Sequence, residues 1–168
     1  MPQLLAGSER AFARGGYFGT STAEVAAETG VSQPYIIQTF GSKLELFIRT
    51  HQFSGRKILG AFRSVLDEAG FDPRRAGRAY RNLVSRDRAA VLVFAHGFSA
   101  CGEPRIAQEA RRLFGEVHAL LIGAGASEQE VLAFMGRGMV INNMLLMDTP
   151  RHGAEHGLEA MNELVFGG

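Results

Sequence analysis

The stretch GVSQPYIIQTFGSKLELF contains the side chains whose types and spacing best suit a chemical task. Gln33 and Gln38 carry amides that can make paired hydrogen bonds to adenine edges, and the methyl group of Thr39 can contact a thymine methyl. Because Ile36 and Phe40 lie four residues apart, they share one face of a helix and can both turn inward. The stretch therefore predicts a short helix whose outer face is polar, uncharged and suited to the major groove of DNA.

Phosphate groups would be bound at helix starts on either side of this face. Free backbone N–H groups and the positive end of the helix dipole favour anions there, at Ser21-Thr22 and at Ser42-Lys43, and Lys43 adds a full charge. The residues predicted to contact DNA are Ser21, Thr22, Ser32, Gln33, Pro34, Tyr35, Gln38, Thr39 and Lys43.

A tight turn between two helices must hold this face in place. Such a turn needs a small residue on the first helix, a glycine in the turn, an apolar residue directly after it and an apolar anchor in the second helix. Ala26, Gly30, Val31 and Ile36 meet these requirements, and Ser32 can cap the second helix. The pattern predicts a helix-turn-helix; the alternative is a purely structural pair of helices.

The rest of the chain divides into helix-sized segments. Three predicted capping boxes, in which a Ser and the Glu three residues later each bind the other's backbone N–H, mark helix starts: they pair Ser21 with Glu24, Ser42 with Glu45, and Ser127 with Glu130. The predicted helices are a first one stopping at Gly15-Gly16, then 21–29, 32–41, 42 to about 69, 73–86, 88–101, 104–124, 128–147 and 154–166. The VLVF segment within 88–101 could form a buried strand, but without a second strand to pair with it we favour a helix.

Composition limits the possible functions. The chain has 168 residues, enough for one domain or for a small one joined to a larger one, with 18 Lys and Arg against 17 Asp and Glu. This balance excludes a strong overall attraction to nucleic acid or anionic membrane. Residues 1–63 nevertheless carry seven basic and four acidic groups, whereas residues 104–168 carry five and eight. The amino-terminal third is therefore the electropositive end.

The sequence has no cysteine pair, no long apolar run and no signal peptide, and these features indicate its compartment. Cys101 is the single cysteine, so an internal disulfide is excluded, in keeping with a reducing compartment. The longest apolar run, at 89–101, is shorter than the roughly 20 residues that a membrane-spanning helix needs, and no signal peptide is evident. We expect a cytoplasmic protein without membrane contact.

Other candidate chemistry is weaker. Six arginines in RRAGRAYRNLVSRDR, at 74–88, could be a second nucleic-acid patch, although a solvated helix face is favoured. His96, His118 and Cys101 have no partner at metal-ligand spacing, which favours core or pocket positions. The GAGASEQE segment lacks the Lys-Ser/Thr of a phosphate loop. No nucleophile–base pair is visible, so we predict no catalytic residue, metal or cofactor, and an enzyme using His96 or His118 has little support.

The helix predicted at 128–147 is apolar nearly all round in its second half, so it must be covered on both sides. A second subunit would cover it; the alternative is a central helix of a monomer. Asn142 and Asn143 would then need partners across the dimer axis or on a ligand. The residues predicted to form a dimer interface are Gly136, Val140, Met144, Met147, Leu158, Met161 and Val165.

Residues 12–47 resemble the DNA-binding domain of the tetracycline-repressor-like (TetR) family of transcriptional regulators. The resemblance rests on G-Y-x-x-T-S at 16–21, on V-A-x-x-x-G-V-S at 25–32 and on F-G-S-K before the fourth helix. It implies an all-α protein. A three-helix helix-turn-helix domain would occupy residues 1–48, and a larger helical ligand-binding and dimerisation domain would occupy residues 49–168.

Two departures from the family pattern bear on DNA binding. The family commonly has a phosphate-contacting Tyr where this chain has Ile37, so that contact is absent or is made by Tyr35. The family also usually has a longer basic segment before the first helix. Its absence is expected to weaken binding, because such a segment adds phosphate or minor-groove contacts.

The resemblance implies a ligand-responsive homodimeric transcriptional regulator, most often a repressor, that binds double-stranded DNA at a pseudo-palindromic operator. A small hydrophobic effector would release it. The residues predicted to line the effector pocket are Phe94, Phe98, Phe114, His118, Met135 and Met139. The alternative is a helical small-molecule-binding or interaction protein of the same fold without useful DNA binding.

Overall fold

Helices account for all of the regular structure in the described residues. A computed structural model describes residues 1–66 and 70–167. The α-helices are α1 (Pro2–Gly19), α2 (Thr22–Thr29), α3 (Gln33–Phe40), α4 (Lys43–Leu66), α5 (Pro73–Arg86), α6 (Arg88–Ser99), α7 (Pro104–Gly123), α8 (Glu128–Leu146), α9 (Thr149–His152) and α10 (Glu159–Phe166), with one 3₁₀ turn at Gly153–His156. The predicted all-α fold is confirmed. The predicted end of the fourth helix near Ala69 lies outside the described residues.

The first helix is interrupted where the glycine pair predicts a stop. Gly16 has φ 62° and ψ −165°, after which the chain makes one more helical turn to Gly19. A side chain at Gly16 would also bring a Cβ within 2.7 Å of the Nδ1 atom of His96. Both the positive φ and this close approach require glycine.

The turn between α2 and α3 has the predicted form. Gly30 adopts the left-handed conformation with φ 70° and ψ 24°, and the Val31 N–H donates to the carbonyl of Ala26 at 3.1 Å. The side chain of Ser32 caps α3 by accepting from the Tyr35 N–H. Ile36 is fully buried, so it is the apolar anchor that the turn needs.

Two of the three predicted capping boxes form completely. They pair Ser21 with Glu24 and Ser127 with Glu130. At the start of α4 only half of the box is present: the Glu45 N–H donates to Ser42 Oγ at 3.1 Å. The Glu45 carboxylate binds Arg49 and Arg105 instead of the Ser42 N–H, because two guanidinium groups compete for it.

The single helix predicted for 154–166 is wrong. The chain forms α9, the 3₁₀ turn and α10 instead, separated at Gly157, whose φ is 70°. The Asn162 side chain donates to the carbonyl of Thr149 at 2.7 Å and holds α10 against α9. A left-handed glycine and this cross-link replace one continuous helix with two short ones.

Two hydrophobic clusters form the core. The amino-terminal cluster joins α1 to α4 and includes Phe12, Ile36 and Phe47, with further residues from α6 and α7. The carboxy-terminal cluster joins the second half of α4 to α5, α6, α7 and α8 and includes Ile58 and Phe62. Helix α4 therefore contributes buried side chains to both clusters and is a single continuous element that links them.

Lys57 is the polar junction between these regions. Its Nζ atom lies 2.5 Å from Glu9 on α1 and 2.5 Å from Asp87, which caps α6. Ser54 Oγ also donates to Glu9, which is 2% exposed. Burial raises the pKa of Glu9, although the bonds from Lys57 and Ser54 oppose the change. Burial lowers the pKa of Lys57, but the carboxylates of Asp87 and Glu9 raise it by more, so its pKa lies above the ordinary value.

His51 is a second buried polar group on α4. Its ring stacks between Phe47 and Phe94, and its Nε2–H donates to the Phe94 carbonyl at 3.3 Å. Nδ1 has no hydrogen-bond partner within residues 1–66 and 70–167. Burial lowers the pKa of His51. A Cβ on Gly97 would lie 2.2 Å from Nε2, so this glycine within α6 provides space for the ring.

Replacing Lys57 by Met should reduce the free energy of unfolding by about 3 kcal/mol, because it leaves the buried Glu9 carboxylate without its counter-charge. Urea unfolding of the variant measures this loss. The double variant Lys57→Met/Glu9→Gln should lose less, since no buried charge is left unpaired. Arg56→Met, on the exposed neighbouring position, is the control, and equal small losses for Arg56→Met and Lys57→Met would contradict the role of the junction.

His51 should make the protein sensitive to mild acid. Because its native pKa is lowered from 6.5, the unfolded state binds more protons below that pH than the native state does. The stability that neutral His51 contributes is complete above about pH 6.5 and is lost as the pH falls towards the lowered native pKa. Urea midpoints from pH 7.5 to 5 should therefore fall more steeply for the wild type than for His51→Gln. Parallel curves would refute this.

Candidate nucleic-acid interface and internal cavity

Helix α3 presents a neutral polar surface. Ile36 and Phe40 are 0% and 4% exposed and pack inward. The exposed residues of this helix are Gln33, Pro34, Tyr35, Ile37 and Gln38, with Thr39 half-buried and the capping Ser32 exposed. The predicted readers therefore share the outer side of the helix. No charged residue lies in its sequence, QPYIIQTF, so attraction to phosphate must come from elsewhere.

The two glutamines of α3 are held differently. The Gln33 side chain donates to Thr22 Oγ1 at 2.9 Å and links the starts of α2 and α3. The exposed amide of Gln38 makes no hydrogen bond within the described part of the chain. Gln38 is thus the amide that can bind a base edge without breaking an existing contact.

The capping box at the start of α2 uses the N–H of Ser21, whereas the N–H groups of Thr22 and Ala23 have no acceptor among the described residues. The Ser21 N–H and Oγ both donate to Glu24, at 2.7 and 2.8 Å, so this N–H is already occupied. The backbone N–H and the hydroxyl of Ser21 lower the pKa of Glu24, whose carboxylate carries a negative charge at this position. Of the residues predicted here, Thr22 is half-buried and binds Gln33.

The start of α4 remains available to an anion. No acceptor in the described residues pairs with the Ser42 N–H, because Glu45 is bound to arginines instead. Lys43 follows directly and lies over the Tyr17 ring, with Nζ 4.8 Å from the ring centroid. A free helix terminus and a positioned ammonium group together favour phosphate at this end of the interface.

A cavity of about 830 Å³ lies among α4, α5, α6, α7, α8 and α10. Four of the residues predicted for the pocket line it: Phe94, Phe114, Met135 and Met139. Phe98 does not line it, because it packs behind Phe94 and Phe114 at ring-centroid distances of 4.8 and 6.1 Å. His118 does not line it either. Its neighbour Val117 takes the inward position, and His118 binds Glu128 at 2.9 Å on the surface.

Inside the cavity wall, Tyr80 donates to the side chain of Asn142 at 2.6 Å. Burial raises the pKa of Tyr80. Asn143 on the next position donates to the carbonyl of Met139 at 2.8 Å. Each asparagine therefore has one hydrogen-bond partner within the chain. The Nδ2 group of Asn142, which lines the cavity, has no acceptor among the described residues, so a partner for it on a ligand stays a prediction.

Arginines form the charged part of the lining, and they are not among the residues predicted for the pocket from the sequence. Arg74, Arg78 and Arg81 come from α5, and Arg137 comes from α8. Their spacing on α5, at i, i+4 and i+7, is the signal that could have placed them on one face of the helix. The remaining lining is mostly apolar and contains no acidic residue among those described.

An apolar surface remains uncovered on α8 and α10. Leu132 and Leu164 are 76% and 86% exposed. Of the residues predicted for a dimer interface, Val140, Met147 and Met161 are exposed, Gly136 faces open space, and Leu158 and Val165 are half-buried. Met144 is only 2% exposed, so its prediction as an interface residue is wrong: it packs within this chain.

The isolated His and Cys candidates are structural or exposed. His96 Nε2–H donates to the Ala13 carbonyl at 3.3 Å and connects α6 with α1, and burial lowers its pKa. Cys101 is exposed. In residues 1–66 and 70–167 no three His, Cys, Asp or Glu side chains group as metal ligands would. None of the helices in those ranges has the length and apolarity to span a bilayer.

Comparisons with known proteins agree with this geometry. Residues 4–50 match the family of bacterial regulatory proteins named tetR. A TetR-like transcriptional regulator from Rhodococcus sp. RHA1 is 24% identical, with 85% of this chain and 81% of that chain covered and a TM-score of 0.64. No curated protein sequence is significantly similar to the chain.

Two regulators named FadR have the same fold. FadR from Bacillus halodurans, a fatty acid degradation regulator, is 17% identical over 87% of each chain, with a TM-score of 0.67. FadR from Bacillus subtilis, solved in complex with stearoyl-CoA, is 14% identical over 87% of each chain, with a TM-score of 0.67. Residues 4–50 thus match the tetR family of bacterial regulatory proteins, and the described chain has the fold of TetR-like transcriptional regulators.

Proposed function

We propose that this protein is a dimeric transcriptional repressor that binds a pseudo-palindromic DNA operator and releases it when a small molecule enters the internal cavity. The observation that carries the proposal is the outer face of α3, where Gln38 is exposed beside the open start of α4. Amides read bases in the major groove, and a free helix terminus with Lys43 binds the adjacent phosphate. Residues 1–48 are the DNA-binding domain in this proposal, and residues 49–168 bind the effector and the second subunit.

Two helices connect the cavity with the DNA-binding face. Helix α4 begins at Lys43 and carries Ile58 and Phe62 into the cavity wall. Helix α6 carries Phe94 into the same wall, while His96, two residues later, binds the carbonyl of Ala13 on α1. A ligand that displaces either helix would move the attached DNA-binding elements, and a coupling of about 1–3 kcal/mol is enough to change operator occupancy many-fold.

A second copy of the chain is the proposed cover for the exposed apolar surface of α8 and α10. Leu132 and Leu164 project most strongly, and Gly136 would allow a partner helix to approach closely. Two copies joined there would present two α3 helices, which must lie about 34–36 Å apart to enter successive major grooves. The same dimer would make the separation of the α3 helices sensitive to a shift of α4.

The apolar part of the cavity supports a hydrophobic effector. Its volume of about 830 Å³ lies within the range of small-molecule sites, and four phenylalanines and two methionines are among the residues that line it. FadR from Bacillus subtilis, which has the same fold, is known in complex with stearoyl-CoA. This supports a ligand with a long apolar portion for the present chain.

DNA binding should be detectable with the region flanking the gene that encodes this chain. In a mobility-shift assay the full chain should retard one segment of this region at a concentration that leaves random duplex free. The affinity for this segment should fall steeply as the salt concentration rises, because binding to phosphates releases counterions from the DNA. Uniform weak retention of every duplex, or none at all, would instead favour a small-molecule-binding protein of the same fold.

Two substitutions should separate base reading from phosphate binding. Gln38→Ala should cost about 1–3 kcal/mol on the operator and little on random DNA, since a base contact is lost. Lys43→Ala should weaken all duplexes about equally and reduce the salt slope by about 1. Fluorescence anisotropy with both DNAs at several salt concentrations measures the effects. Gln108→Ala, on the exposed side of α7, is the matched control.

Equal losses on operator and random DNA for Gln38→Ala would contradict its role in base reading. An unchanged salt slope for Lys43→Ala would likewise remove the ammonium group from the phosphate contact.

A further inference from the structure

The arginine cluster, which we define as Arg74, Arg78, Arg81 and Arg137, is the least expected feature of the cavity. All four residues line the same space, three from α5 and one from α8 across it. None of the four forms an ion pair with a carboxylate of the described residues. Like charges at helical spacing repel one another, so the arrangement is unfavourable without a counter-charge.

Nearby acidic groups do not neutralise this cluster. Asp72, at the start of α5, is the acidic residue next to it in the chain, and its carboxylate accepts the N–H groups of Arg74 and Arg75. Arg75 itself turns away and donates to the carbonyl of Gly70 at 2.6 Å. The backbone N–H groups of Arg75 and Arg74, and to a lesser degree the charges of Arg75 and Arg78, lower the pKa of Asp72. This carboxylate therefore offsets part of the positive charge, but among the described residues it forms no ion pair with any of the four arginines.

The walls behind the cluster are apolar. Phe62, Phe134 and Tyr80 form one aromatic group, with Phe62 5.7 Å from Tyr80 and 5.6 Å from Phe134 between ring centroids. Arg74, Arg78 and Arg137 are exposed and Arg81 is half-buried, so the cluster lies at the open side of the cavity, where an anion can reach it from solvent. Apolar walls behind such charges strengthen their field towards the cavity. Guanidinium groups also bind carboxylate and phosphate oxygens in pairs.

We infer that the cavity binds an amphipathic anion: an acyl chain that occupies the apolar space, carrying a carboxylate or phosphate head that the arginine cluster holds. This deepens the proposed function, because the anion would be the effector of the regulator. A neutral hydrophobic ligand would make no use of the four guanidinium groups, and a small anion would leave the apolar space empty. A DNA backbone is a poor alternative, since it has no apolar chain to fill the cavity.

Equilibrium dialysis of the full chain tests the inference without DNA, so its failure is distinct from a failure of operator binding. The probes are laurate, lauroyl-CoA, dodecanol and free CoA, each at low and moderate salt. Laurate or lauroyl-CoA should bind at least about tenfold more tightly than dodecanol and free CoA, and their affinity should decline with salt. A preference for laurate would identify a carboxylate head, and a preference for lauroyl-CoA would identify a phosphorylated one.

The double variant Arg78→Gln/Arg81→Gln should lose about tenfold or more in affinity for the anionic acyl probe, with dodecanol binding unchanged within about twofold. Arg86→Gln is the matched control, because Arg86 lies on the same helix, is exposed and does not line the cavity. Circular dichroism of each variant verifies that it folds, and Arg137→Gln provides an independent variant on α8.

Three results would overturn the inference. Dodecanol binding as tightly as laurate and lauroyl-CoA would show that the charges are not used. Free CoA binding as tightly as lauroyl-CoA would show that the apolar space is not used. A double variant with normal affinity for the anionic probe but a reduced affinity for random duplex would assign the arginines to nucleic acid instead.

Discussion

Helix α4 packs into both hydrophobic clusters, so its position is constrained from the DNA-binding end and from the cavity end at the same time. Leu46 and Phe47 complete the amino-terminal cluster that holds α3, while Ile58 and Phe62 belong to the carboxy-terminal cluster and the cavity wall. Because close-packed interiors resist continuous deformation, a change of packing at one end of such a rod is transmitted rather than absorbed. The helix cannot be repacked around a ligand without consequences for the DNA-binding face.

Polar groups buried along α4 make the constraint stricter. Lys57 joins α4 to Glu9 on α1 and to Asp87 at the start of α6, and His51 binds the carbonyl of Phe94 on α6. Hydrophobic contacts alone would permit α4 to slide, whereas buried charges and hydrogen bonds tolerate little displacement without leaving a group unpaired. These contacts define how α1, α4 and α6 lie against one another. They therefore limit how far the cavity can change shape without moving the DNA-binding face.

The two proposed sites differ in the charge that they present. The reading face of α3 is uncharged, and its nearest positive group, Lys43, sits at one end. At the cavity, four arginines surround a largely apolar space without a carboxylate in the described lining. The first arrangement favours discrimination among bases over indiscriminate attachment to phosphate. The second favours an anion that also has an apolar part, which links effector chemistry to the same protein that reads DNA.

Local sequence signals are enough to predict the helices of the amino-terminal domain and the face of α3 that turns outward. Local signals sufficed there: Gly30 ends α2, Ser32 caps α3, and Ile36 and Phe40 turn inward, so Gln38 must face outward. Most helix boundaries beyond Gly70 were predictable for the same reason, since caps and prolines act within one turn. The short helices after Met147 were not, because Asn162 acts on Thr149 across a turn.

Which side chains share a cavity depends on how the helices pack against one another. An arginine run at 74–88 is typical of a solvated face when α5 is considered alone, and only the packing of α8 against the same space makes Arg137 line one cavity with Arg78. Packing likewise buried Met144, excluded His118 and gave Ser42 half a capping box, because Arg105 on α7 competes for Glu45. Each of these outcomes depends on contacts between residues distant in the chain, which periodicity and capping patterns do not encode.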